Sequence, residues 1–234
     1  TETAAEATRP LVGPETTVLC LQNGVDNEDK LARILGASCV LGGVVHILST
    51  IGAPGLINQT AGPRTLKCGE MDGRPSARVA RIVDAFVRGG VGAEASANIL
   101  VDLWEKYVFI CAHGGVTALG RLGIGEILGC PETAGFYRSV MEEIAAVGRA
   151  RGVALPPDTV DRAIAFARKL QPEMRSSLAY DLDRGNRLEV ESLMGVVVRY
   201  GAEAAVPTPL NSIIYACLLP HHLKAVAARE GRAA

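Results

Sequence analysis

Aromatic side chains are scarce in this chain: Phe, Trp and Tyr make up 4% of its 234 residues, with a single Trp. A core short of large rings has to be built from Ala, Val, Leu and Ile, which suits helices packed on one another or on a small sheet. Excess charge is lacking too. The formal net charge is -1, and Lys and Arg are scattered without the basic stripe that nucleic-acid binding needs. No apolar run reaches about eighteen residues, so no membrane span is expected, and no signal-peptide pattern is visible. The six cysteines lie far apart, with no Cys-x-x-Cys pair. Sitting mostly in apolar runs, they read as small hydrophobes in a reducing cytoplasm, not as a disulfide framework or a zinc site. His221-His222 read as a solvated tail without the partners a metal would need. The chain opens at Thr1 directly on a helical pattern, which reads as a fragment or a processed product.

What is present divides in two. Over the first seventy or so residues, short helices alternate with apolar β-runs. Residues 3–11 and 27–35 read as helices; residues 17–22, 38–47, 55–60 and 64–68 read as strands. That alternation argues for part of an α/β sheet with a parallel section. Met71-Asp-Gly-Arg-Pro-Ser76 is polar and rich in turn formers, and so marks a boundary. Beyond it strand signals nearly vanish. Helical periodicity runs over residues 77–88, 100–119, 131–151, 157–170, 188–204 and 207–219, with a kink expected at Gly114-Gly115.

Five features carry chemistry. Lys106 lies in Val101-Asp-Leu-Trp-Glu-Lys-Tyr-Val-Phe-Ile-Cys-Ala-His113, where burying an ammonium is costly unless it finds a partner or releases its proton. Either the side chain snorkels to water, or it performs acid–base work. Leu21-Gln-Asn-Gly-Val25 places Asn23 at the carboxyl end of an apolar strand, where parallel sheets bind ligands, although Asn-Gly also simply turns a chain. Ser176-Ser177 opens a polar segment. Arg187-Leu-Glu-Val-Glu191 puts Glu189 at the start of an apolar helix, where an acid also complements the helix dipole. Val206-Pro-Thr-Pro-Leu-Asn-Ser-Ile-Ile-Tyr215 is a Pro-stiffened entry to the last helix.

In this order and spacing the set resembles the ketopantoate reductase (2-dehydropantoate 2-reductase) family over nearly the whole chain. The resemblance implies the α/β remnant of a Rossmann-type dinucleotide-binding domain over residues 1–72, followed by an all-α helical substrate domain over 73–234. It implies NADPH-dependent reduction of a 2-oxo acid to the 2-hydroxy acid, in a cytoplasmic enzyme that forms a homodimer. Lys106 falls on the general acid; its ammonium would stabilise the forming oxyanion and supply the proton, with an apolar surround easing transfer. Asn23 matches a residue near both cofactor and substrate. Glu189 matches one that holds the nicotinamide ribose, Leu48 one whose backbone lies against the cofactor, and Ser177 a substrate contact. No metal is implied.

Two departures qualify the match. The family's opening Gly-x-Gly-x-x-Gly turn, which cradles the pyrophosphate, does not occur here; a chain without it is expected to bind NADPH poorly and to self-associate through exposed sheet edges. Four family asparagines that would face the substrate fall on Ile110, Gly114, Ile124 and Met174, so a bulkier or more apolar oxo acid is expected. His113 beside them reads either as a satisfied core histidine or as a replacement donor. The rival to the enzyme reading is a non-catalytic helical module for dimerisation or partner binding.

Overall fold

The computed structural model describes residues 1–231. They form two compact units, Thr1–Gln22 with Asp26–Leu103, and Asn23–Val25 with Trp104–Ala234.

The first unit holds α1 (Glu2–Thr8), β1 (Val18–Leu19), α2 (Asn27–Leu35), β2 (Val40–Ala53), β3 (Leu56–Gly69), α3 (Ala77–Arg88) and β4 (Gly92–Ala95). The strands make one mixed sheet in the order β1-β2-β3-β4. β1 and β2 run parallel, joined through α2, and β4 runs parallel to β3. Apolar residues with no tolerance for water fill both faces: Leu41, Cys68 and Val79 on one side, Ala5, Cys20, Leu31, Cys39 and Val40 on the other. All six cysteines are free, and four of them are buried, consistent with their use as small apolar residues.

Two expectations are corrected in this unit. The segments 55–60 and 64–68 are one strand, not two, and β2 continues past Ile47 to pair with it as a long antiparallel hairpin. Pro63 stands between those two segments in the sequence. Here it falls where the register shifts between His46 and Leu48, a bulge in which a residue without an N–H does no harm. Strands also do not stop at the polar boundary. Gly92–Ala95 has no β-branched residue and becomes a strand only because the edge of β3 offers it a ladder. The boundary segment itself is tied down by Arg78, which pairs with Glu70 and donates to the Ser38 carbonyl.

The second unit is helical: most of α4 (Ile99–Gly120), then α5 (Ile124–Gly129), α6 (Pro131–Ala150), α7 (Thr159–Ala167), α8 (Ser177–Asp183), α9 (Met194–Glu203) and α10 (Pro209–Glu230). α4 runs unbroken through Gly114-Gly115. Gly115 is there for close approach rather than for a kink, because a Cβ would stand 2.7 Å from Met194 Cε and 2.8 Å from Ile214 Cγ2. The Pro-stiffened entry to α10 is held by Glu143 of α6, whose carboxylate accepts from Leu210 N, Asn211 N and Asn211 Nδ2 at 2.9, 3.0 and 2.7 Å. These are N–H groups of the helix start, two from the backbone and one from a side chain. His221 and His222 lie within α10, not in a tail, since the helix continues through Pro220.

One buried acid makes the first unit sensitive to pH. Glu28 is 3% exposed, and neither carboxylate oxygen makes a hydrogen bond of full geometry among the described residues. Burial, with the charges of Asp29 and Asp26 adding, pushes its pKa up to about 7; the N–H groups of Glu28 and Gly43 offset only part of this. The folded chain therefore keeps this proton to higher pH than the unfolded chain. Stability is full below about pH 4.5 and declines as pH rises through 7, by about 3 kcal/mol in all. Glu28→Gln is expected to exceed the parent in stability by up to about 3 kcal/mol at pH 8 and to match it at pH 4. Urea unfolding at the two pH values checks this; equal stabilities at pH 8 would contradict it.

Candidate active site

Asn23 leaves the end of β1 in a turn that needs Gly24 next to it, at φ 117, a conformation open to glycine and strained for other residues. That turn belongs to the helical unit, and it brings the Asn23 amide into a hydrogen bond with the Glu189 carboxylate. The Lys106 ammonium acts on the same carboxylate. Asn23 and Lys106, far apart along the chain, thus both act on the carboxyl group of Glu189.

Glu189 is placed differently from its expected position. The helix over 188–204 begins only at Met194, so Glu189 sits in the turn before it. The cause is tertiary: the fully buried Tyr107, next to Lys106, donates its hydroxyl to the Leu193 carbonyl at 2.6 Å. Leu193 N in turn donates to the Glu189 carbonyl at 3.0 Å. The side chain of Glu189 is exposed, yet protein hems it in. Lost hydration pushes its carboxyl above the usual range and the Asp181 charge adds to this, while the Asn23 hydrogen bond and the Lys106 charge pull it back in part.

Asp181 was not singled out in the sequence. It lies four residues after Ser177 on α8, the spacing that puts two side chains on one helix face, and that signal was available. It also shapes the turn carrying Glu189: Asn186 Nδ2 donates to Asp181 Oδ1 at 3.0 Å and Asn186 N to the Asp181 carbonyl at 2.8 Å.

Ser177 is exposed on the first turn of α8. Its neighbour Ser176 does the anchoring. Ser176 caps α8 by accepting from Ala179 N at 3.0 Å, and its hydroxyl lies 2.8 Å from Thr117 Oγ1 on α4. Leu48 belongs to the other unit, on β2 at the register shift opposite Ala61, and is 45% exposed.

The four positions expected to face the substrate do not behave alike. Gly114 is closed over: a first side-chain carbon there would stand 3.6 Å from Leu193 Cδ1 and 4.0 Å from Leu178 Cδ1 and Met194 Cε. Ile124 is 1% exposed and its N–H is bound to the Met174 carbonyl at 3.0 Å. Only Ile110 and Met174 keep accessible surface. His113 is 6% exposed, stacked on Phe109 at 5.2 Å and 14° and set edge-on to Tyr137 at 6.5 Å. Its Nδ1 and the Tyr137 hydroxyl have no hydrogen-bond partner among the described residues. Among those residues no cluster of His, Cys, Asp and Glu could hold a metal ion, and no helix is long and apolar enough to cross a membrane.

Comparison with known proteins matches residues 1–73 to the model described as ketopantoate reductase PanE/ApbA and residues 98–222 to that of its C-terminal part. The 2-dehydropantoate 2-reductase of Archaeoglobus fulgidus is 33% identical over 212 residues, covering 90% of this chain and 69% of that protein. A PanE/ApbA family ketopantoate reductase from Ralstonia eutropha JMP134 superposes with a TM-score of 0.86 at 32% identity, over 96% of this chain and 72% of its own. A D-mandelate dehydrogenase solved with NADH shares the fold, with a TM-score of 0.85 at 18% identity over 97% and 75% of the two chains.

The buried imidazole sets an acid limit. Burial lowers the His113 pKa to about 4 from 6.5, so the unfolded chain takes up this proton first as pH falls. The stability it contributes is full above pH 6.5 and is lost towards pH 4, by about 3 kcal/mol. His113→Leu is expected to remove that part of the acid limb in urea unfolding between pH 7 and 4. An unchanged slope would contradict it.

Proposed function

The chain belongs to the ketopantoate reductase family, a family of oxidoreductases, and on that footing we propose that it reduces a 2-oxo acid to the 2-hydroxy acid with Lys106 as the general acid. What carries the proposal is that the Asn23 amide hydrogen-bonds the Glu189 carboxylate while the Lys106 charge acts on the same group. A module kept only for packing or partner binding has no use for an ammonium, an amide and an acid gathered at one point.

We assign NADPH as the reductant. The donor set fits the nicotinamide-ribose end of such a cofactor. Glu189 is an accessible carboxylate with its pKa held up, oriented by Asn23, and able to accept from vicinal ribose hydroxyls. When bound, the cofactor supplies the hydride to the carbonyl carbon. The residues of this chain do the rest. As negative charge moves onto the carbonyl oxygen, the Lys106 ammonium stabilises it and transfers a proton to that oxygen, leaving a neutral amine that solvent reprotonates. Asn23, held between turn and carboxylate, orients the reacting groups. Ser177, exposed at the start of α8, is assigned to the substrate, and Leu48 lends backbone to the cofactor.

Lys106→Ala in the full-length protein is expected to lower turnover of 2-oxo acids by about 10²- to 10⁴-fold, with the thermal unfolding midpoint little changed. Turnover at the parent rate would refute the assignment. Comparing kcat/KM with NADPH and NADH tests the choice of cofactor, and a preference for NADH would overturn it.

A further inference from the structure

The strip of α4 that carries Lys106 turns apolar immediately beyond it. One turn along, the helical repeat sets Phe109 and Ile110 on the lysine face, and both keep accessible surface. Phe166 of α7 meets Phe109 edge-on at 4.9 Å and is itself exposed. Beneath Phe109 lies the His113 ring, and beyond that Tyr137. A chain with four Phe in all has spent two of them on this wall.

The two polar side chains that follow on this strip, His113 and Thr117, are 6% and 0% exposed. His113 Nδ1 is buried. The Thr117 hydroxyl donates to the His113 carbonyl at 2.6 Å and is shared with Ser176. Gly114 is buried, and a Cβ added there would already be in ordinary contact with Leu178, Leu193 and Met194. A hydroxyl brought against this surface would lose water and find no partner, whereas a ring or a branched alkyl group would lose nothing.

We infer that Phe109 and Ile110 are the specificity-determining residues of the site, and that they select a 2-oxo acid whose side chain is aromatic or branched and apolar over one that carries a hydroxyl. The inference rests on the assignment of Lys106 above, since a carbonyl held at that ammonium is what lays the side chain along the next turn of α4.

The test uses the full-length protein with NADPH and three substrates: phenylpyruvate, 3,3-dimethyl-2-oxobutanoate, and the 4-hydroxy derivative of the latter. The expected kcat/KM for the unhydroxylated member of the matched pair is about tenfold or more above that of its hydroxy derivative. Ile110→Asn is expected to bring that ratio to unity or below. Phe109→Leu is expected to lower kcat/KM for phenylpyruvate more than for the aliphatic acid. Thermal unfolding confirms that each variant is folded. A parent preference for the hydroxy acid overturns the inference, as does a ratio unmoved by Ile110→Asn. So does a preference abolished by His113→Leu alone, which would put the reading of the side chain at His113. Should no 2-oxo acid turn over, it is the Lys106 assignment that fails. The same ratios are then read from calorimetric dissociation constants of the corresponding 2-hydroxy acids, and the same outcomes decide.

Discussion

The hydrogen bond from Tyr107 to the Leu193 carbonyl, 2.6 Å long and buried, is the constraint on which the candidate site depends. Tyr107 follows Lys106 on α4, and Leu193 closes the turn that begins at Glu189. The bond therefore ties the stretch of α4 that carries Lys106 to the turn that carries Glu189. The Leu193 carbonyl also accepts from Val196 N at 3.0 Å and Val197 N at 3.3 Å, so the same atom ties α4 to the first turn of α9. Continuous helix begins only at Met194, after a turn in which Leu193 N already donates to the Glu189 carbonyl and Gly195 N to the Val190 carbonyl.

Around Glu189 the electrostatics are balanced rather than extreme. Lost hydration first, and then the Asp181 charge, push the Glu189 carboxyl up, and Asn23 and Lys106 pull it down in part. A carboxylate so poised can take hydrogen bonds from a ligand's hydroxyls. The ammonium is thus not stranded in an apolar wall, as its neighbours along the sequence imply. Its charge acts on an acid, Glu189, and the next turn of α4 carries Phe109 and Ile110. On the proposed reading, the Glu189 side manages charge and the helix side reads the shape of the substrate.

Much of this was legible in the sequence, and the exceptions share a cause. Helical stripes with apolar residues every three to four positions mark α3, α4, α6 and α7 in the sequence, because each buries a face by its own periodicity. β4 and the far half of the hairpin are not marked in this way, because Gly92–Ala95 and the stretch around Pro63 have no local preference for strand and are held by a neighbour's edge. The short helices α5 and α8 escaped for a similar reason. Six or seven residues do not make a stable helix alone, and α8 exists where Ser176 staples it to Thr117.

The sequence by itself determined the inventory: a lysine in an apolar helix, an Asn-Gly turn after a strand, an acid ahead of an apolar run, and the order that makes them resemble one family. Those are facts of residue type and spacing, and spacing along the chain controls only what happens within a turn or two of helix or strand. Tertiary structure decided which of them meet. It gathered Asn23 and Lys106 at Glu189, recruited Asp181, and left Leu48 in the sheet-bearing unit. It also decided what four substitutions mean. Loss of an amide looks alike at Ile110, Gly114, Ile124 and Met174 when read as letters. Only packing shows that Gly114 and Ile124 are sealed in the core, where they contact protein, while Ile110 and Met174 keep a surface that a ligand can touch.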